Sequence, residues 1–242
     1  MIKLRSCMYY IPGNWGKRRS GTEDYLAANF IRALKDSQSP LQSQDTGRVG
    51  FGIRTLDASN QIESFKWFAE WASPIISLEN LSPPFVFVPV PSSSQTTDGK
   101  GLVYSPAALM ASHLATTIGH GAHVRDVLRW EKVLQASHLG GERKVETFYK
   151  TLKIVDELNR LAVTNATYII VDDVVTTGAH VQAVECLLRK QKNIQCQLVL
   201  CGGRVPPDGE LPDLADVPRV PFENLKTWDP PDLAEDSDPI PF

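Results

Sequence analysis

The sequence predicts an α/β protein built on a doubly wound, mainly parallel sheet, and three observations predict it. Two apolar runs rich in aromatic and β-branched residues, 85–90 (Phe-Val-Phe-Val-Pro-Val) and 167–171 (Thr-Tyr-Ile-Ile-Val), read as buried strands. Each is followed by a loop and then by apolar residues at helical spacing. A third apolar stretch, 194–201, follows the second of those helices and ends at Gly202-Gly203-Arg204. Strands alternating with helices require a parallel sheet covered on both faces, with ligands at the strand carboxyl ends.

In chain order, 1–20 combines Tyr9, Tyr10 and Trp15 with the basic run Lys17-Arg18-Arg19. Short strands or an irregular arm fit here; aromatics interleaved with bases can bind nucleic acid, and more often pack a domain edge. Residues 20–35 read as a helix capped by Ser20 or Thr22, with Leu26, Phe30, Ala33 and Leu34 on one face. The polar stretch 37–48 reads as a loop and 49–56 as a short strand. Apolar residues at 62, 65, 68, 69 and 72 predict a second helix. After the strand 85–90 comes the serine-rich loop 91–95. Ser105 and Pro106 then open a helix to Ile118, lined by Ala108, Ala111, Leu114 and Ala115. Residues 122–128 read as a strand. The polar stretch 129–143, with Gly140-Gly141 beside bases, suits a mobile lid, and 149–161 reads as helix.

Composition bounds the class. Hydrophobic content of 42% and charged content of 22% describe an ordinary globular chain. The apolar runs are too short for a membrane span, and 1–15 has no sustained apolar h-region, so a cytoplasmic protein is expected. The cysteines, Cys7, Cys186, Cys196 and Cys201, form no Cys-x-x-Cys pair and are expected as reduced thiols. The net charge of −3 conceals an asymmetry. Residues 205–242 hold ten acids against two bases, while 1–204 hold 23 bases against 18 acids. With nine prolines as well, 205–242 reads as an acidic, extended and flexible tail. The expected organisation is an accessory region, 1–80, a core, 81–204, and that tail.

The chemistry concentrates in 168–180, Tyr-Ile-Ile-Val-Asp-Asp-Val-Val-Thr-Thr-Gly-Ala-His. The strand runs into Asp172 and Asp173, a short loop follows, and a helix over 179–190 begins. Unpaired N–H groups and the positive end of a helix dipole favour a phosphate there. Thr176 and Thr177 add hydroxyls, and Gly178 lets the backbone approach the ligand. Two carboxylates ahead of such a cradle suit a sugar phosphate, since carboxylates accept hydrogen bonds from vicinal hydroxyls. The plainer alternative is a buried strand whose acids cap a helix.

This stretch resembles the phosphoribosyl-pyrophosphate (PRPP) motif of type I phosphoribosyltransferases, whose fold is a Rossmann-like doubly wound sheet. The spacing matches over all thirteen residues, with His180 standing where the family usually has a small residue. Val88–Pro91, the Lys100-Gly101 pair and the spacing Arg129, Gln135, Leu139, Arg143 are similar to ComF-type competence proteins. Those proteins usually carry Arg at the position of Lys100, and often an N-terminal Cys-rich zinc element that 1–80 lacks.

The resemblance implies PRPP with Mg²⁺ as ligand. Asp172 and Asp173 would hold the ribose hydroxyls, and Thr176, Thr177, Gly178, Ala179 and His180 the 5′-phosphate. Ser92, Ser93, Ser94 and Lys100 would hold pyrophosphate, with Mg²⁺ held mainly through the ligand rather than by direct protein ligands. Arg129 and Arg143 would join the acids as catalytic groups by neutralising departing charge. The region 1–80 would be the hood over the acceptor. Three readings stay open: a phosphoribosyltransferase acting on a base-type acceptor; a non-catalytic PRPP- or nucleotide-binding module in DNA uptake, regulation or a bacterial defence operon; and a scaffold for a protein partner. A homodimer and a weak nucleic-acid or protein partner complete the expectations, with no membrane association.

Overall fold

The computed structural model describes residues 1–9, 22–35, 45–49, 52–56, 62–99, 104–134, 144–155, 161–206 and 222–230. Their elements follow in the order β1 (Ile2–Tyr9), α1 (Thr22–Lys35), β2 (Asp45–Val49), β3 (Gly52–Leu56), α2 (Glu63–Leu78), β4 (Phe85–Pro89), α3 (Pro106–Ile118), β5 (Ala122–Val124), β6 (Leu128–Trp130), α4 (Val145–Thr151), β7 (Leu152–Ile154), β8 (Thr167–Val175), α5 (Ala179–Lys192), β9 (Cys196–Arg204) and β10 (Phe222–Leu225). The central sheet has the order β10-β1-β9-β8-β4-β5. All its neighbours are parallel except β10, which runs antiparallel to β1.

Period-two alternation explains why these strands read as unbroken apolar runs. Phe85, Phe87, Ile169, Val171, Leu198 and Leu200 turn to one face, where they meet apolar residues of α1, α2 and α3. Val86, Val88, Ile170, Val199 and Cys201 turn to the other, against Phe148 of α4 and Val181, Val184, Leu187 and Leu188 of α5. A parallel sheet flanked by helices on both sides has no solvated face to mark with polar residues. Each fully buried Val, Leu, Ile or Phe contributes about 1.5–3 kcal/mol.

The helix ends are locally encoded. Ser105 Oγ accepts from the Ala108 N–H at 3.2 Å at the start of α3, and Pro106 occupies its first turn, where no intrahelical N–H is needed. α5 ends at Asn193 in a left-handed conformation, a residue type that tolerates it. α2 runs to Leu78, beyond the predicted Ala72, because Ile75 and Ile76 extend its buried stripe past Pro74.

Several expectations are corrected. The first residues form one strand inside the sheet, in register with β9 from Lys3↔Leu198 to Tyr9↔Arg204; the basic run 17–19 lies outside the described residues. Part of the expected loop 37–48 is β2, paired antiparallel with β3. The single strand expected over 122–128 is two: β5 in the main sheet and β6 in a separate pair with β7. β7 also replaces helix at 152–154, where Leu152 leaves the helical conformation.

The chain expected as a flexible tail contains β10, whose Leu225 is buried. Beyond it, Trp228 lies against Tyr149, with ring centroids 5.4 Å apart, and Asp229 pairs with Arg189 at 2.9 Å. The sheet therefore includes strands from both sides of the boundaries expected at 80 and 204. Among the described residues no helix is long and apolar enough to cross a membrane. The four cysteines are buried and unbridged.

Candidate functional site

Connectivity locates the site before any side chain is considered. From β4 the chain crosses through α3 to β5 on one side, and from β8 it crosses through α5 to β9 on the other. β4 and β8 are neighbours, so the order reverses between them. The crevice at their carboxyl ends is a topological switch point, where open α/β sheets bind ligands. Both motif loops emerge there, and the ladder runs up to a Val90 N–H bond to Val171 O at 2.9 Å.

β8 continues to Val175, with Asp172 opposite Cys201 and Val175 opposite Arg204. The acid pair thus lies within the strand rather than ending it, because main-chain pairing with β9 does not depend on side-chain polarity. Alternation along a strand separates the two carboxylates. Asp172 is 6% exposed and lines an open pocket together with Phe148 and residues 174–181. Asp173 does not line that pocket. Its Oδ1 accepts from the Val174 N–H at 2.7 Å, and its Oδ2 lies 3.5 Å from Lys35 Nζ, at the end of α1. Burial, reinforced by the neighbouring Asp173, holds the Asp172 carboxyl well above the usual carboxylate range.

The loop after β8 has the expected form. Thr177 Oγ1 accepts from the Ala179 N–H at 3.3 Å, and Gly178 caps α5 with φ +82°, a left-handed conformation that favours glycine. The first turn of α5 carries no acid, while Arg189, Lys190 and Lys192 occupy its last. The basic last turn complements the helix dipole, while no acid of the helix's own first turn offsets its positive end. Thr176, Thr177, Gly178, Ala179 and His180 all line the pocket. The His180 ring turns into an aromatic cluster, 4.0 Å from the Phe148 ring and 5.5 Å from that of Trp130. Burial lowers its pKa to about 4, so the imidazole is neutral at pH 7.

Ser92, Ser93 and Ser94 follow β4 on the other side of the switch point and do not line the pocket. Four of their polar groups are engaged within the loop. The Ser92 N–H donates to Gln95 Oε1 at 2.7 Å, and the Ser92 and Ser94 hydroxyls lie 3.3 Å apart. Gln95 N–H bonds to Ser92 O at 2.9 Å and closes the turn. Arg129 lies on β6, where Asp126 accepts from its guanidinium at 2.6 Å; it does not line the pocket. Lys100 and Arg143 fall outside the described residues. Among those described, no cluster of three or more His, Cys, Asp or Glu forms a metal site.

Two solved structures of a Staphylococcus aureus hypoxanthine phosphoribosyltransferase are similar to this chain, both at 15% identity. The orthorhombic form aligns over 60% of this chain and 75% of its own, with a TM-score of 0.35. The tetragonal form aligns over 67% and 88%, with a TM-score of 0.38. No protein-family model matches the chain, and no curated protein matches it.

Three residues at the site escape sequence reasoning. Lys35 reaches Asp173 from a helix assigned to the accessory region. Arg204, 3% exposed at the end of β9, donates from Nη1 to the main-chain oxygen of Thr176 and ties down the loop after β8. Trp130, fully buried, donates from Nε1 to Pro91 O at 3.2 Å. For Arg204 a signal existed: a base directly after a strand and a Gly-Gly pair, at the same sheet end as the acids.

Proposed function

We propose that the protein binds PRPP with Mg²⁺ and transfers its phosphoribosyl group to a base-type acceptor, releasing pyrophosphate. One observation carries the reading: a buried carboxylate, a threonine–glycine loop and an acid-free helix N-terminus line one pocket at the switch point of a parallel sheet. That arrangement suits a ligand with hydroxyls at one end and a phosphate a few ångströms away.

In this reading the acceptor nitrogen attacks C1 as the C1–O bond to pyrophosphate breaks, and the electron pair leaves with pyrophosphate. The transition state has oxocarbenium character, so positioning and charge stabilisation suffice without a covalent nucleophile. Asp172 and Asp173 hold the ribose hydroxyls, with Asp173 exchanging Lys35 for a hydroxyl. Residues 176–180 hold the 5′-phosphate, mainly through main-chain N–H groups. Ser92, Ser93, Ser94 and Lys100 take pyrophosphate, and Arg129 and Arg143 offset the departing charge. Mg²⁺ would be held mainly through the phosphate and pyrophosphate oxygens of the ligand, the hard oxygen donors it prefers, rather than by direct protein ligands. Bound with pyrophosphate, Mg²⁺ would supply charge neutralisation on the leaving group.

A second reading, PRPP or nucleotide binding without transfer, is favoured by the bond from the Ser92 N–H to Gln95, which occupies a donor that a pyrophosphate grip would use. Calorimetric titration with PRPP and Mg²⁺, against ribose 5-phosphate as control, separates the two. Tighter binding of PRPP, followed by pyrophosphate release with a purine or pyrimidine acceptor, supports transfer. Equal binding of both ligands supports the module, and binding of neither overturns both.

A further inference from the structure

The two loops at the switch point belong to different strands, yet one side chain touches the surroundings of both. Trp130 donates from Nε1 to Pro91 O at 3.2 Å, at the base of the serine loop. Its main chain holds the same loop further on: the Trp130 N–H bonds to Gln95 O and the Thr97 N–H to Trp130 O, each at 2.9 Å. On its other side the indole ring lies 5.5 Å from His180, the second residue of α5, at an interplanar angle of 49°. Phe148 completes the cluster, 5.9 Å from Trp130 and 4.0 Å from His180. His180 and Phe148 both line the pocket. A small residue at position 180 would leave the indole without that ring contact.

We propose that Trp130 is a positioning residue that couples the serine loop to the phosphate loop through His180, so that ordering one loop orders the other. A buried ring cluster suits this role because close-packed side chains transmit displacement rather than absorb it. The hydrogen bonds of Trp130 to Pro91, Gln95 and Thr97 and its tilted ring contact to His180 join two segments that the β4–β8 ladder alone would leave independent beyond Val90. The ligand-binding consequence rests on the function proposed above; the mechanical coupling does not.

Two measurements on the full-length chain test the proposal. In the absence of ligand, His180→Ser should speed amide hydrogen exchange over 92–97 by about threefold or more, while peptides of β9 and α3 stay unchanged. Exchange altered only within α5, or raised uniformly, would overturn the coupling. With ligands, saturating magnesium pyrophosphate should change the affinity for ribose 5-phosphate by about fivefold or more in the wild type, and by less than about twofold in Trp130→Phe, which keeps a ring and loses the Nε1 donor. An equal change in both proteins would also overturn it. If the wild type binds neither ligand, the transferase reading fails, and the exchange experiment still decides the coupling.

Discussion

Leu225 packs against Gly178: a Cβ built on the glycine would lie 3.4 Å from Leu225 Cδ2. A residue from the far end of the chain thus abuts the turn that opens α5. Gly178→Ala combines that contact with an unfavourable backbone, since φ +82° costs a residue with a Cβ about 1–2 kcal/mol. Thermal denaturation should show the loss, and adding Leu225→Ala should not restore it, because relieving the contact leaves the conformation strained. Full recovery in the double variant would mean that the contact, not the dihedral angle, governs the site.

Ending the chain at 221 removes β10, the Trp228–Tyr149 contact and the Arg189–Asp229 pair. Loss of the buried Leu225 alone costs about 2 kcal/mol or more. The midpoint of urea unfolding should fall clearly, whereas ending the chain at 230 should leave it in place. Equal midpoints for the two truncations would show that β10 is dispensable.

Asp172→Asn tests the acid pair where it meets the pocket. The amide keeps the shape of a carboxyl group already held high by burial, so circular dichroism should report an intact fold. Affinity for ribose 5-phosphate should drop about two- to tenfold, the worth of one hydrogen bond between neutral groups. Asp173→Asn should weaken binding less, because Asp173 faces Lys35 and not the pocket. The reverse ranking would reassign the sugar contact to Asp173.

His180 gives a pH signature of definite sign. Its folded pKa lies near 4 against an ordinary value of 6.5, so between those values the unfolded chain binds more protons. Stability from this group is present above pH 6.5 and is lost as pH falls toward 4, by at most about 3 kcal/mol. Asp172 acts in the opposite direction, since its raised folded pKa favours the folded state in acid. The difference in unfolding free energy between wild type and His180→Asn, which keeps Asp172, should therefore shrink from pH 7.5 to pH 4.5. A difference independent of pH would place the imidazole in water.

The alternation of strand and helix and the thirteen-residue motif were legible in the sequence because both are local. β4, α3, β8, α5 and β9 lie where apolar periodicity puts them, and the loop residues 176–180 line one pocket. What escaped depends on pairing between distant segments. Ile2–Tyr9 alternates too irregularly to read as a strand alone, because β9 and β10 flank it and its Ser6 is buried beside apolar neighbours. Phe222–Leu225 sits among prolines and acids, and only its register with β1 makes it a strand. The separation of Asp172 from Asp173 was implicit in strand period, but only for a strand that continues through the acids, and that continuation is decided by β9. Trp130 gave no signal because its role depends on a partner fifty residues away.

The antiparallel pairing of β10 with β1 has a consequence beyond stability. The outermost strands of the sheet are both short, four residues in β10 and three in β5. Without β10, the eight residues of β1 would offer an uninterrupted row of main-chain donors and acceptors, the kind of template on which another chain adds a strand. Pairing with β10 occupies that edge over Ile2–Arg5, and the chain ended at 221 should therefore sediment as larger species than the intact protein at equal concentration.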